Sequence, residues 1–175
     1  MEKTISGVKI ELVQGDIASQ PDIMVVVNAA NAQLIPGGGV AGAIHRAAGP
    51  GLEKECRPQA PIKPGEAVIT GGHNLPNEFV IHCLGPVYGR DKPEDQLLAS
   101  CYKNALKLAE ENKIESVAFP AISSGAFGYP VEESAEVAID SIIEVIPDLR
   151  HVKTIRFVLF SNNDLEIFSN TLSSS

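Results

Sequence analysis

Five consecutive apolar residues, Ile23-Met24-Val25-Val26-Val27, constrain this chain more than any other feature. A strand that is apolar at every position must be covered on both faces, as in a parallel sheet lying between helices. The rest of the chain fits that reading. Val8 to Val13 alternates and reads as a strand; Ala67 to Thr70, Phe79 to Leu84, Ser116 to Ile122 and Thr154 to Phe160 are further strands. Val40 to Ala48, Glu94 to Asn112 and Val131 to Ile146 carry apolar residues at helical spacing, and Asp164 opens a short closing helix. Leu52 to Pro64, punctuated by prolines, reads as loop, and Ser173 to Ser175 as a frayed end. Strands alternating with helices predict one α/β domain over residues 1–175, with its core at about 8–170.

The formal charge of −8 argues against a nucleic-acid backbone as partner, which needs clustered Lys and Arg. It does not argue against a nucleotide, because backbone N–H groups hold a diphosphate whatever the net charge. Cys56, Cys83 and Cys101 lie far apart and form no C-x-x-C pair, so neither a disulfide framework nor a structural metal is expected. No run is long enough for a signal peptide or a membrane span, and the reading is a soluble cytoplasmic monomer.

Ligands of open α/β sheets bind beyond the carboxyl ends of the strands. Polar and small residues follow the strands here: Gly15-Asp16-Ile17, Asn28-Ala29-Ala30-Asn31, Ser123 to Gly128, and Ser161-Asn162-Asn163. Gly37-Gly38-Gly39-Val40-Ala41-Gly42 satisfies G-x-G-x-x-G, but Asn28 to Pro36 separates it from its strand and the partner acid is missing, so a Rossmann site is rejected. No Gly-Lys-Ser/Thr exists for a P-loop. What remains is glycine before a helix N-terminus, a place for an anion, with a ligand-free glycine turn as the plain alternative. Ser123 to Gly128 is a second such loop, or simply a tight connection.

Asn28 to Asn31, Gly37 to Gly42, Ile44 to Pro50, Val80-Ile81-His82, Gly85-Pro86 and Val117 to Pro130, in this order, resemble a macro domain of the MacroD type. The resemblance implies a three-layer α/β/α fold with a mixed, mostly parallel sheet of six or seven strands and an ADP-ribose cleft at its crest. It implies that Asp16 accepts a hydrogen bond from the adenine amino group, that Ile17 adds a backbone contact and that Phe160 flanks the ring. Gly39 and Val40 would line the diphosphate, Ser123, Ser124, Gly125, Ala126 and Phe127 would close over it from the other side, and Ala30, Gly37, Gly38 and Ala41 would be further ligand-binding residues. Asn31 would hold the distal ribose, and Gly39 and His45 are further candidates at the reacting end. The partners implied are ADP-ribosylated proteins or O-acetyl-ADP-ribose, with no cofactor.

Plainer roles stand beside these. Asp16 could cap a helix, Asn31 a turn; Phe160 could be a core aromatic, and His45 could pack or cap. His82, inside a strand, reads as a satisfied core histidine; His73 and His151 carry no argument. One departure matters: MacroD-type hydrolases usually carry Asp where this chain has Ala41. Some viral macro domains with the same Gly-Gly-Gly-Val-Ala-Gly run still hydrolyse ADP-ribosyl esters, and an archaeal type binds ADP-ribose. Three classes therefore compete: an ADP-ribose ester hydrolase, a non-enzymatic ADP-ribose reader, and an unrelated nucleotide enzyme.

Overall fold

The computed structural model describes all 175 residues. Its strands are β1 (Glu2–Ile5), β2 (Val8–Gln14), β3 (Val25–Ala29), β4 (Ala67–Gly71), β5 (Phe79–Cys83), β6 (Ser116–Phe119) and β7 (Thr154–Leu159). Its helices are α1 (Gly39–Ala48), α2 (Pro50–Cys56), α3 (Glu94–Glu111), α4 (Val131–Val145) and α5 (Asn162–Ser173). The strands form one mixed sheet in the order β1-β2-β7-β6-β3-β5-β4. The strands from β2 to β5 in that order run parallel, and β1 and β4 close the edges antiparallel.

The apolar run resolves by alternation along β3. Val25 and Val27 belong to the same core cluster as Leu98, Tyr102 and Leu106 of α3, Ile139 and Ile142 of α4 and Phe168 of α5. Val26 turns to the other face, against Ile44 and Ala48 of α1 and Leu52 and Cys56 of α2. All three valines are fully buried, so each favours folding by about 1.5–3 kcal/mol before chain entropy is counted. On the α3 face, Tyr102, Phe119, Phe157 and Phe168 form a chain of rings with centroids 5.1, 5.7 and 5.3 Å apart. The Tyr102 hydroxyl accepts the N–H of Ile122 at 3.2 Å and so ties α3 to the loop after β6.

The strand read over Ile23–Val27 lies two residues later, and β6 ends at Phe119, before Pro120. The stretch read as loop from Leu52 contains most of α2 and a 3-10 turn at Arg57–Gln59. Pro50 does not break this helix because it occupies the first turn, where its missing N–H costs nothing. Leu52 and Cys56, four apart, are the buried face. The unread strand β1 pairs with β2 through a turn at Ser6 and Gly7, both with positive φ. The closing helix starts at Asn162, capped by the Ser161 hydroxyl, and includes Ser173, so the frayed end is shorter than the sequence predicts. No helix is long and apolar enough to cross a membrane.

Candidate functional site

The parallel strands place the loops after β2, β7, β6, β3 and β5 along one edge, in that spatial order. Asp16, Phe160, Ser123 to Gly128, Asn31 with Gly37 to Ala41, and Leu84 to Pro93 therefore succeed one another along a crest.

At the β2 end, Asp16 is exposed and caps no helix. Its Oδ1 accepts the Ala18 N–H at 2.9 Å within a turn, leaving Oδ2 for a ligand. Ile17 is buried beneath it. Phe160 is 91% exposed and so is not a core aromatic; β7 ends at Leu159 and the ring stands in solvent beside the crest.

At the centre, α1 begins at Gly39 with no side-chain cap and no acidic residue in its first turn. The first turns of α3, α4 and α5 all carry acidic residues, which suit the positive end of a helix dipole. The N–H groups of Gly38, Gly39, Val40 and Ala41 find no acceptor in the chain, and neither do those of Gly125, Ala126 and Phe127. Added Cβ atoms at Gly38, Gly39 or Gly125 would meet nothing within 4 Å, so this backbone borders open space. Val40 and Phe127 rest on the same apolar cluster, which sets the two loops on a common floor together with buried Ala30. Ser123 is buried with an unpaired hydroxyl, and Ser124 bonds back to the Ala121 carbonyl at 2.9 Å.

Toward β5, Asn31 uses its amide to close a turn: Nδ2 donates to the Ile35 carbonyl at 2.8 Å and Oδ1 accepts the Ile35 N–H at 3.0 Å. A Cβ on Gly37 would lie 3.3 Å from Asn31 Nδ2, so the turn abuts the glycine loop. Gly42 must lack a side chain because a Cβ there would stand 2.3 Å from the Gly37 carbonyl oxygen.

A family model for the macro domain matches residues 27–138. The chain belongs to the macro domain family. A macro domain-containing protein of Chlorobaculum tepidum is 47% identical over 167 residues, covering 95% of this chain and 96% of its own. An O-acetyl-ADP-ribose deacetylase of Klebsiella pneumoniae is 45% identical over 173 residues, covering 96% and 98%. The structure of an Oceanobacillus iheyensis macrodomain with ADP superposes with a TM-score of 0.94 at 40% identity, over 99% of this chain and 95% of that one.

In this macro domain two of the four histidines, His45 and His82, are buried. His82 is fully buried; its Nδ1 lies 3.0 Å from Asn28 Nδ2 and its Nε2 lies 2.9 Å from the Thr70 hydroxyl. Burial lowers its pKa to about 3, so the ring is neutral. His45 is 5% exposed, its ring 6.5 Å from that of His82, and neither of its nitrogens has a partner. Burial lowers its pKa too, with Glu53 pulling the other way. The structure thus turns His45 into the fold, and we give it no catalytic role, unlike the sequence reading. No group of three His, Cys, Asp or Glu side chains stands close enough to hold a metal ion.

The sequence reading missed Gly85 as a spacer: a Cβ there would fall 2.1 Å from the Ser123 hydroxyl oxygen. With the Tyr88 N–H bonded to the Phe127 carbonyl at 2.9 Å, it fastens the loop after β5 to the loop after β6. The only signal was Gly85-Pro86 directly after a strand.

Proposed function

We propose that the crest binds ADP-ribose and that the domain hydrolyses its esters, either O-acetyl-ADP-ribose or ADP-ribose carried on glutamate or aspartate side chains. The observation that carries this reading is the pair of N–H-lined loops: the uncapped start of α1 and the Gly125–Phe127 backbone, bordering open space between Asp16 and Asn31. Unsatisfied N–H groups at a helix start are a ready anion site, and two such loops suit a diphosphate. The relatives named for O-acetyl-ADP-ribose deacetylase activity and for bound ADP support the same ligand.

The diphosphate would lie over Gly38 to Ala41 and under Ser123 to Phe127, with adenine between Asp16 and Phe160 and the distal ribose by Asn31. Neither loop has a titratable side chain, so neither supplies a general base. A water held by a substrate phosphate oxygen and the backbone at Gly39 or Ala41 would add to the ester carbonyl and give its proton to that phosphate. The carbonyl carbon then parts from the ribose oxygen, which takes the proton; carboxylic acid and ADP-ribose leave. Holding the reacting atoms together supplies the rate. Ala41 favours a second reading, a reader that binds without turnover. Release of ADP-ribose from a glutamate-modified protein by the purified domain separates the two.

Asp16→Ala should weaken ADP-ribose binding by about 1.5–3 kcal/mol, the worth of a charge-assisted hydrogen bond. Calorimetry is the check, and unchanged affinity would remove adenine from Asp16. Adenosine should bind at least about a hundredfold more weakly than ADP-ribose, because it forfeits several bonds between N–H groups and phosphate. The affinity for ADP-ribose should vary only mildly with salt, since backbone groups replace a cation cluster. A steep salt dependence would contradict the backbone cradle.

A further inference from the structure

Arg156 is a nearly buried cation well below the ligand-facing residues. It is the third residue of β7, in register with Glu11 of β2, and its side chain is 13% exposed. Nη1 donates to Gln20 Oε1 at 2.8 Å and to Asp22 Oδ1 at 2.9 Å. Nη2 donates to Asp22 Oδ2 at 2.7 Å and to Glu11 Oε2 at 3.4 Å. Gln20 is 8% exposed, and its Nε2 donates to the Asp16 carbonyl at 2.9 Å. The Gln20 backbone is pinned as well, its carbonyl accepting Asn77 Nδ2 at 2.8 Å.

Donor chemistry gives this chain a direction. A guanidinium has only donors, so Gln20 must turn its oxygen toward Arg156, and its NH2 then faces the Asp16 carbonyl. The same carbonyl accepts the Ser19 N–H at 3.0 Å, which closes the turn that presents the Asp16 carboxylate. We infer that Arg156 and Gln20 form a positioning relay that aims Asp16, making the site selective for a purine with an exocyclic amino group. The inference rests on the reading of Asp16 as the adenine contact. Both relay residues are nearly buried and act through the Asp16 turn.

A purely structural tie between β7 and the loop after β2 is the rival, and two variants separate them. In Gln20→Glu the side chain still accepts from Arg156 and gains an opposite charge, so the fold is kept, but it no longer donates to the Asp16 carbonyl, which retains only the Ser19 N–H. Asp22→Asn weakens the ion pair and leaves the Gln20 to Asp16 bond in place. Calorimetry would compare ADP-ribose with its inosine counterpart, whose ring carbonyl offers Asp16 no proton.

The parent is expected to prefer ADP-ribose. Gln20→Glu should lose about tenfold in ADP-ribose affinity, the worth of one aimed hydrogen bond, with at most about a twofold change for the inosine compound. Asp22→Asn should keep the parent's preference while lowering Tm. If Gln20→Glu retains the preference, or if both ligands weaken alike, the relay is overturned while the Asp16 reading stands. A parent that binds ADP-ribose and the inosine compound equally, or binds neither, overturns the Asp16 reading and the relay with it.

Discussion

Ala41→Asp is expected to speed ester hydrolysis by about ten- to ten-thousand-fold, the range spanned by one positioned acid–base group. ADP-ribose affinity should stay nearly unchanged. Ala41 is the third residue of α1, 5% exposed, at the uncapped end of the helix. A carboxylate there would meet the positive end of the helix dipole, which favours folding of the variant. Its action would fall on the attacking water and on charge developing at the ribose, and a group that interacts only on the way to the transition state raises turnover without tightening the bound ground state. Beside the diphosphate it could only loosen the ligand. Single-turnover release of ADP-ribose from a glutamate-modified protein measures the rate, and calorimetry the affinity. Asn31→Ala should slow hydrolysis in both backgrounds, since the turn it closes with Ile35 would loosen next to the glycine loop. A parent and an Ala41→Asp variant that are both inactive would establish the reader; equal, high activity in both would show the carboxylate to be dispensable.

Lowering the pH from 6.5 to 5 is expected to cost the fold about 2 kcal/mol through His82 alone. Its pKa is held near 3 in the folded protein by burial, with the neighbouring His45 adding to the effect, against 6.5 ordinarily. The unfolded chain therefore binds a proton that the folded one refuses. The contribution is whole above pH 6.5 and shrinks by up to about 1.4 kcal/mol per pH unit as the pH falls toward 3. His45, also lowered by burial, acts in the same direction. Asp22, Asp91 and Glu110 have lowered values, so what they contribute is present above their ordinary values of 3.8 for the aspartates and 4.5 for Glu110 and is lost only below them. The window from 6.5 to 5 thus isolates the histidines. Urea unfolding at several pH values reads the slope, and His82→Gln should flatten it while lowering stability at pH 7. A flat profile in the parent between pH 7 and 5 would mean that the buried rings are protonated without penalty.

The Ile23–Val27 run foretold a covered parallel sheet because β3 presents alternate valines to two helix layers. The positions of the small-residue loops were legible too, since each follows a strand whose period ends visibly. The Pro50–Cys56 helix was not, because the same prolines and glycines that mark loops also start helices, and only burial of Leu52 and Cys56 tells the cases apart. Phe160 looked like either a ring in the core or a ring on the ligand; where β7 stops decides that it is solvent-exposed.

By itself the sequence determined the layering, the crest loops and the family, because periodicity, turn chemistry and ordered motifs are properties of neighbours along the chain. Tertiary structure decided which way each polar side chain faces. It buried His45 against His82, set Gly85 beneath Ser123, and joined Arg156 through Gln20 to the turn of Asp16. Gln20 and Arg156 are 136 residues apart, and no local pattern encodes a partner at that distance. Such pairings follow from the sheet order that brings β7 beside β2, where a buried donor must find an acceptor or go without.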